Sequence, residues 1–189
     1  PKLRQKFAQK QLMYVRNFTD NLDVSWQDFF HTNDRAAVEA YCRKAGMSVE
    51  WKPDGSLRTC QVRPAVINHP QTGETVFFNQ IQLHHPSYLQ ADVRESLMSV
   101  FGAENLPRQL YYGDRSPIEA SVIEEVLAVY KAAEISFPWQ QGDVLMLDNI
   151  LAAHGRNPYI GSRKIVVAMG EMIHRTDIEN QGRETAYAN

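Results

Sequence analysis

The side chains in this sequence best suited to do chemistry are one imidazole and one guanidinium, His154 and Arg163, nine residues apart. An imidazole is the commonest protein ligand for a transition metal and carries a proton near neutral pH. A guanidinium presents a planar fork of N–H donors that matches a carboxylate. Both lie in a strand–loop–strand pattern. Gly142-Asp143-Val144-Leu145-Met146-Leu147-Asp148-Asn149 reads as a buried strand ending in a turn. Leu151-Ala152-Ala153 then leads to His154-Gly155-Arg156-Asn157-Pro158-Tyr159, and Gly161-Ser162-Arg163 opens a second buried strand that runs to Met169. A histidine just past a strand, at the mouth of a β-sandwich, is fixed by the sheet while the mouth admits small molecules. An arginine at the start of the returning strand can point into the same mouth. Each has a plainer reading: His154 as a structural histidine bonding a loop carbonyl, Arg163 as half of a surface ion pair.

The other candidates read more simply. His84 and His85 are adjacent, and neighbours on a strand point to opposite faces, so they do not share an ion. Asn79 falls in an alternating strand; it has a ladder or turn role, with substrate contact as the sharper alternative. Arg156 reads as holding the loop, with facing the site as the alternative. Glu124 and Glu125 form a solvated helix face. Trp26, Trp51 and Trp139 are packing residues, Trp139 with the alternative of lining a pocket.

The elements that must position His154 and Arg163 are mostly short strands. Residues 11–18 read as a strand that opens the chain abruptly, after basic residues and with no preceding partner. Short helices follow over roughly 26–31 and from Asn33 or Asp34, either of which caps the second. Val38, Tyr41, Cys42 and Ala45 give that helix one apolar face, and Gly46 stands at its C′ position. Pro53-Asp54-Gly55 predicts a hairpin between strands at 49–51 and 57–59, the second continuing to residue 67 with an edge or bulge at Pro64. His69-Pro70-Gln71-Thr72-Gly73 turns the chain back into a strand over 75–81. A helix is predicted near 93–101. Another opens at the capping box Ser116-Pro117-Ile118-Glu119 and buries Val122, Ile123, Val126, Val129, Tyr130 and Ala133. A short strand is predicted at 135–137. Hairpin-linked strands with inserted helices imply an antiparallel sandwich or jelly roll.

Composition excludes several classes. With 43% hydrophobic and 22% charged residues, the 189-residue chain can bury a core without disulfides. A formal net charge of −2 supplies no general field for nucleic acid or an anionic membrane. No apolar run approaches a bilayer span, and no signal peptide follows the basic start. Cys42 and Cys60 follow no metal-ligand spacing and read as reduced thiols of a cytoplasmic protein.

The run from Gly142 to Arg163, with Phe77-Phe78-Asn79-Gln80 and Tyr111-Tyr112-Gly113-Asp114, resembles the taurine dioxygenase/TfdA-like superfamily, in the branch similar to clavaminate synthase and to amino-acid hydroxylases of nonribosomal peptide pathways. The resemblance covers about residues 12–169. It implies a mainly β double-stranded β-helix (jelly roll) with inserted helices, incomplete at the N-terminus. Residues 1–175 would be the C-terminal portion of one oxygenase domain, followed by a polar tail at 176–189. It implies Fe(II) held by two histidines and a carboxylate, with open positions for 2-oxoglutarate and O2. Decarboxylation of the oxoglutarate would drive hydrogen removal from an unactivated C–H bond. His154 matches the distal iron ligand, and Arg163 the arginine on the far carboxylate of 2-oxoglutarate. The substrate implied is a small amino-acid-like molecule, free or tethered to a carrier protein.

One departure is equally plain. The family's other two ligands come from a His-x-Asp or His-x-Glu pair, and none of the six histidines begins one. The chain therefore reads as a fragment that starts after the pair, inactive by itself. A second basic residue four positions beyond Arg163, present in some relatives, is replaced by Val167. A noncatalytic β-helix module binding a small acid or a partner protein is the competing reading. A metal-dependent hydrolase would need a further ligand cluster or an activated nucleophile, and the sequence offers neither.

Overall fold

Leu12–Phe18 forms β1, the strand around which the first part of the chain is built. Leu12, Val15 and Phe18 are each no more than 2% exposed, so this strand is covered on both faces. It pairs antiparallel with β3 (Leu57–Arg63), setting Tyr14 opposite Gln61, and with β6 (Arg108–Tyr112), setting Tyr14 opposite Leu110. β2 (Ser48–Trp51) adds outside β3, giving the order β2-β3-β1-β6. In this computed structural model, which describes residues 2–19, 22–171 and 173, the chain divides into two units. One comprises residues 1–65 with 80–136, the other residues 66–79 with 137–189.

Turn and cap chemistry accounts for the first unit's local structure. Gly55 takes φ +87° in the β2–β3 hairpin, and Asp54 Oδ1 accepts from the Ser56 amide at 2.9 Å. Ser25 caps α2 (Trp26–Phe30), and Asp34 caps α3 (Arg35–Lys44) by accepting from the Ala36 amide at 2.9 Å. Gly46, at φ +66°, ends α3 as predicted. Val38 and Cys42 of α3 pack with Phe18, Trp26 and Leu57 in one core cluster. The buried stripe is narrower than the periodicity implies, because Tyr41 stays outside and meets the Phe30 ring edge-on at 5.5 Å. Trp26 and Trp51 are packing residues, their rings in T-shaped contact at 5.1 Å.

The opening basic residues form a helix, α1 (Lys2–Lys10), that buries Phe7 against Tyr112. This helix explains why the predicted capping box does not form. Glu119 is drawn to Lys6 at 2.9 Å and accepts from the Tyr112 hydroxyl at 3.3 Å, while Ser116 bonds within the Asp114 turn. Pro117 bridges to Tyr111 instead of occupying the first helical position. The helix α5 therefore runs Ala120–Ala133 without a side-chain cap, with Ile123 buried and Val129 left 64% exposed. The remaining helix of this unit, α4, runs Ala91–Phe101.

His84 and His85 serve separate structural ends. His85 bonds Ser87 and the Ile118 carbonyl through its two ring nitrogens. His84 sits at the end of a 3-10 turn, Ile81–His84, edge-on to Tyr14 at 5.0 Å. Burial, followed by the charges of Arg108 and Arg16, pushes the His84 imidazole from 6.5 down to about 4. The folded state thus holds this ring neutral where the unfolded chain protonates it. The stability it contributes is complete above pH 6.5 and is lost as pH falls from there toward 4. A His84→Gln variant should lose less of its urea midpoint than the parent over that interval; parallel curves would refute this assignment.

In the second unit, β4 (Val66–Asn68) pairs antiparallel with β5 (Thr75–Phe77). The long strand predicted across 57–67 is thus broken at Pro64, where a missing amide N–H interrupts the ladder. The returning strand stops at Phe77 rather than continuing to residue 81. The strands predicted at 135–137, 142–149 and 163–169 are not formed. Those segments pair with no strand among the described residues, and Val144, Met146, Val166 and Val167 are each at least 76% exposed. Their apolar runs state a preference for strand, but a strand exists only where a neighbour supplies its hydrogen bonds. Among the described residues the architecture is antiparallel β with inserted helices, as the sequence implies. Residues 174–189, including His174 and the predicted tail, lie outside the described residues.

Candidate functional site

All three predicted site residues belong to the second unit, and a buried histidine organises it. His69 begins the β4–β5 turn and is only 3% exposed. Its Nδ1 accepts from the Thr72 amide at 3.1 Å and the Gln71 amide at 3.3 Å. A nitrogen that accepts from two N–H groups carries no proton, so the proton resides on Nε2. Nε2–H accordingly donates to Asp148 Oδ2 at 2.8 Å. Gly73, at φ +71°, closes the turn by donating to the His69 carbonyl.

Asp148 is a hub for the segment that follows. Its Oδ1 accepts from the Ile150 amide at 2.8 Å and the Leu151 amide at 3.3 Å, and its carbonyl accepts from Ala152 at 2.9 Å. The Ile150 amide first, and His69 second, hold the Asp148 carboxyl below the usual carboxylate range. The chain leaves this turn outside any helix or strand and reaches His154 two residues after Ala152, with His154 exposed. Gly161 takes φ +95°, turning the chain ahead of Arg163. The Arg163 guanidinium stacks on Tyr159, its central carbon 3.9 Å from the ring centroid. Stacking occupies the face of the guanidinium plane, whereas a carboxylate is bound at its edge. Asn79 is half-buried and lies just beyond β5, outside the strand in which the sequence places it. Trp139 lies at 5.8 Å from Phe137 in the same unit.

The structure therefore joins Arg163 to Tyr159 and Asp148 to His69. It does not assemble His154 into a metal-holding cluster: among the described residues no group of three or more His, Cys, Asp or Glu could hold an ion. The His69–Asp148 link was missed in the sequence. An aspartate ending an apolar run signals a side-chain-to-backbone turn, but nothing local signals a partner 79 positions away. Cys42 is buried and Cys60 half-buried, and both are free thiols. No helix among the described residues is long and apolar enough to cross a membrane.

Comparison with known proteins bears on this unit and the sheet alike. A family model described as "Taurine catabolism dioxygenase TauD, TfdA family" matches residues 1–169. The chain is 41% identical over 175 residues to the dapdiamide synthesis protein DdaC of Enterobacter agglomerans, covering 93% of this chain and 53% of that protein. It is 27% identical over 177 residues to a clavaminate synthase-like protein of Arabidopsis thaliana, covering 89% of this chain and 50% of that protein. The chain thus spans about half the length of the curated relatives it matches.

Proposed function

Because the chain belongs to the TauD/TfdA family, whose members are iron(II)- and 2-oxoglutarate-dependent oxygenases, we propose that it supplies one iron ligand, His154, and the 2-oxoglutarate clamp, Arg163, of such an enzyme. The observation that carries this reading is the sequence order of residues 142–163, an apolar run opened by Gly-Asp, then His-Gly-Arg, then Gly-Ser-Arg, inside the matched region. The residues present fit their part of an iron centre. The His154 imidazole is exposed and available as a donor. The Arg163 fork is pre-oriented by Tyr159 and offers a carboxylate two parallel N–H bonds. Iron, when bound, supplies the oxygen chemistry, and this chain's residues bind and orient. The other two donors, a His-x-Asp or His-x-Glu pair, are not in the 189-residue sequence, so a complete centre needs a segment besides it.

The reaction proposed is hydroxylation of an amino-acid-like or peptidyl substrate in secondary metabolism, free or carrier-tethered, with Asn79 as a substrate contact. Similarity to a protein named for dapdiamide synthesis favours a biosynthetic over a catabolic role. A cytoplasmic location is part of the proposal, supported by the two free thiols. So is a double-stranded β-helix, with residues 1–175 as the C-terminal portion of one domain and 176–189 as a tail. In that fold residues 142–149 and 163–169 are paired strands. Their amides should exchange within seconds in this chain alone and become protected in a protein carrying the whole family domain. Rapid exchange in both would refute the β-helix.

The functional test is an anaerobic titration of the whole-domain protein with iron(II) and 2-oxoglutarate, read by the visible charge-transfer band, followed by succinate assay. Arg163→Ala removes a charge-assisted bidentate contact worth about 1.5–3 kcal/mol. It should raise the KM for 2-oxoglutarate roughly ten- to hundredfold, with Arg163→Lys intermediate. A parent protein with neither band nor succinate would defeat the oxygenase reading. That result would favour the second one, a noncatalytic binding module, whose support is that none of the six histidines begins a His-x-Asp or His-x-Glu pair.

A further inference from the structure

We propose that His69 is a positioning residue for His154, acting through Asp148; this rests on the oxygenase reading of His154. Three observations converge on it. The imidazole is almost fully buried, at 3% exposure, although it sits in a hairpin turn and histidine is only intermediate in its tendency to be buried. Both of its ring nitrogens are committed, Nδ1 to the turn amides of Gln71 and Thr72 and Nε2 to Asp148. Asp148 in turn gathers the Ile150 and Leu151 amides on its carboxylate and the Ala152 amide on its backbone carbonyl, so one residue fixes three consecutive positions. The chain from that knot to His154 is only two further residues, Ala153 and His154 itself.

The consequence is mechanical. Residues 142–149 pair with no strand among the described residues. The bond from His69 therefore ties the approach to His154 to the β4–β5 hairpin at its base. A ligand imidazole must be held within about half an ångström of its productive place, and a short lead outside any helix or strand offers no such hold unless its root is anchored. The protonation pattern adds direction. With Nδ1 accepting two amides, the ring can offer Asp148 only a donor, which a carboxylate accepts and a carboxamide nitrogen does not.

Two variants isolate the link from folding of the hairpin. His69→Asn keeps a side-chain oxygen able to accept the turn amides but cannot reach Asp148. Asp148→Asn keeps an oxygen for the Ile150 and Leu151 amides but sets N–H against N–H at His69. In this chain, amide exchange at residues 150–152 should quicken at least about tenfold in both variants, while β1 and β3 amides do not change. In the whole-domain protein, iron(II) affinity should fall about ten- to hundredfold, the range for residues that orient metal ligands. The KM for 2-oxoglutarate at saturating iron should stay within about twofold, and His69→Gln, which restores an N–H of similar reach, should recover part of the loss.

Unchanged exchange at residues 150–152 would overturn the anchor. Faster exchange with iron affinity intact would overturn the positioning role and leave a fold staple. A parent protein that binds no iron would overturn the oxygenase reading and the positioning role with it, while the exchange arm would still decide whether the link exists.

Discussion

Replacing His154 by alanine in a protein carrying the whole family domain should abolish the iron(II)–2-oxoglutarate charge-transfer band and bring succinate formation to background. The size of this effect follows from coordination chemistry. Removing a residue that merely orients a ligand lowers metal affinity about ten- to hundredfold, and removing one of three protein donors takes away a metal bond outright. The exposed setting of His154 makes the experiment clean. An exposed side chain away from core packing alters stability by no more than about 0.5 kcal/mol when truncated, so loss of the band is not loss of the fold. The variant should keep the parent's urea midpoint and circular dichroism. Added imidazole should restore part of the band, since the truncation leaves room for a free ligand. Succinate production that survives His154→Ala would remove this histidine from the metal site, whatever the rest of the chain does.

The largest stability effect belongs to Leu57→Ala. Leu57 is fully buried, lies opposite Phe18 across the β1–β3 pair and opposite Trp51 across the β2–β3 pair, and packs in the cluster with Trp26, Val38 and Cys42. Truncating a buried leucine loses the transfer free energy of its methyl groups and leaves a cavity, together about 2–5 kcal/mol. Rings as large as Phe18 and Trp26 collapse poorly into a small void, which places this site in the upper part of that range. A 2–5 kcal/mol loss is a large fraction of a typical domain's stability, so urea unfolding should show a much lower midpoint or a chain already partly unfolded in buffer. Val129→Ala, at a position 64% exposed on α5, is the control and should move stability by no more than about 0.5 kcal/mol. A Leu57→Ala midpoint equal to that of the control would mean that the sheet is not packed on α3 as described.

Local chemistry was legible wherever residues act on their immediate neighbours. Asp34 before an amphipathic run, Gly46 after it and Pro53-Asp54-Gly55 between two strands each produced the cap, stop and turn they predict. The errors share one cause. Ser116-Pro117-Ile118-Glu119 has the right types at the right spacing for a capping box, yet Glu119 is taken by Lys6 of α1 and by Tyr112 of β6. Tyr41 fits the helical period but meets a phenylalanine edge at the surface instead of the core.

By itself the sequence determined the family, which the match over residues 1–169 shows, and it singled out the two side chains proposed for its chemistry, His154 and Arg163. It also determined the local turns and caps, because those depend on bonds within a few residues. Only the tertiary structure decided which strands exist, since a strand's hydrogen bonds belong equally to its neighbour; β1 acquired two neighbours and residues 142–149 none among the described residues. Only it paired His69 with Asp148, because a hydrogen bond across 79 positions leaves no periodic trace in one chain.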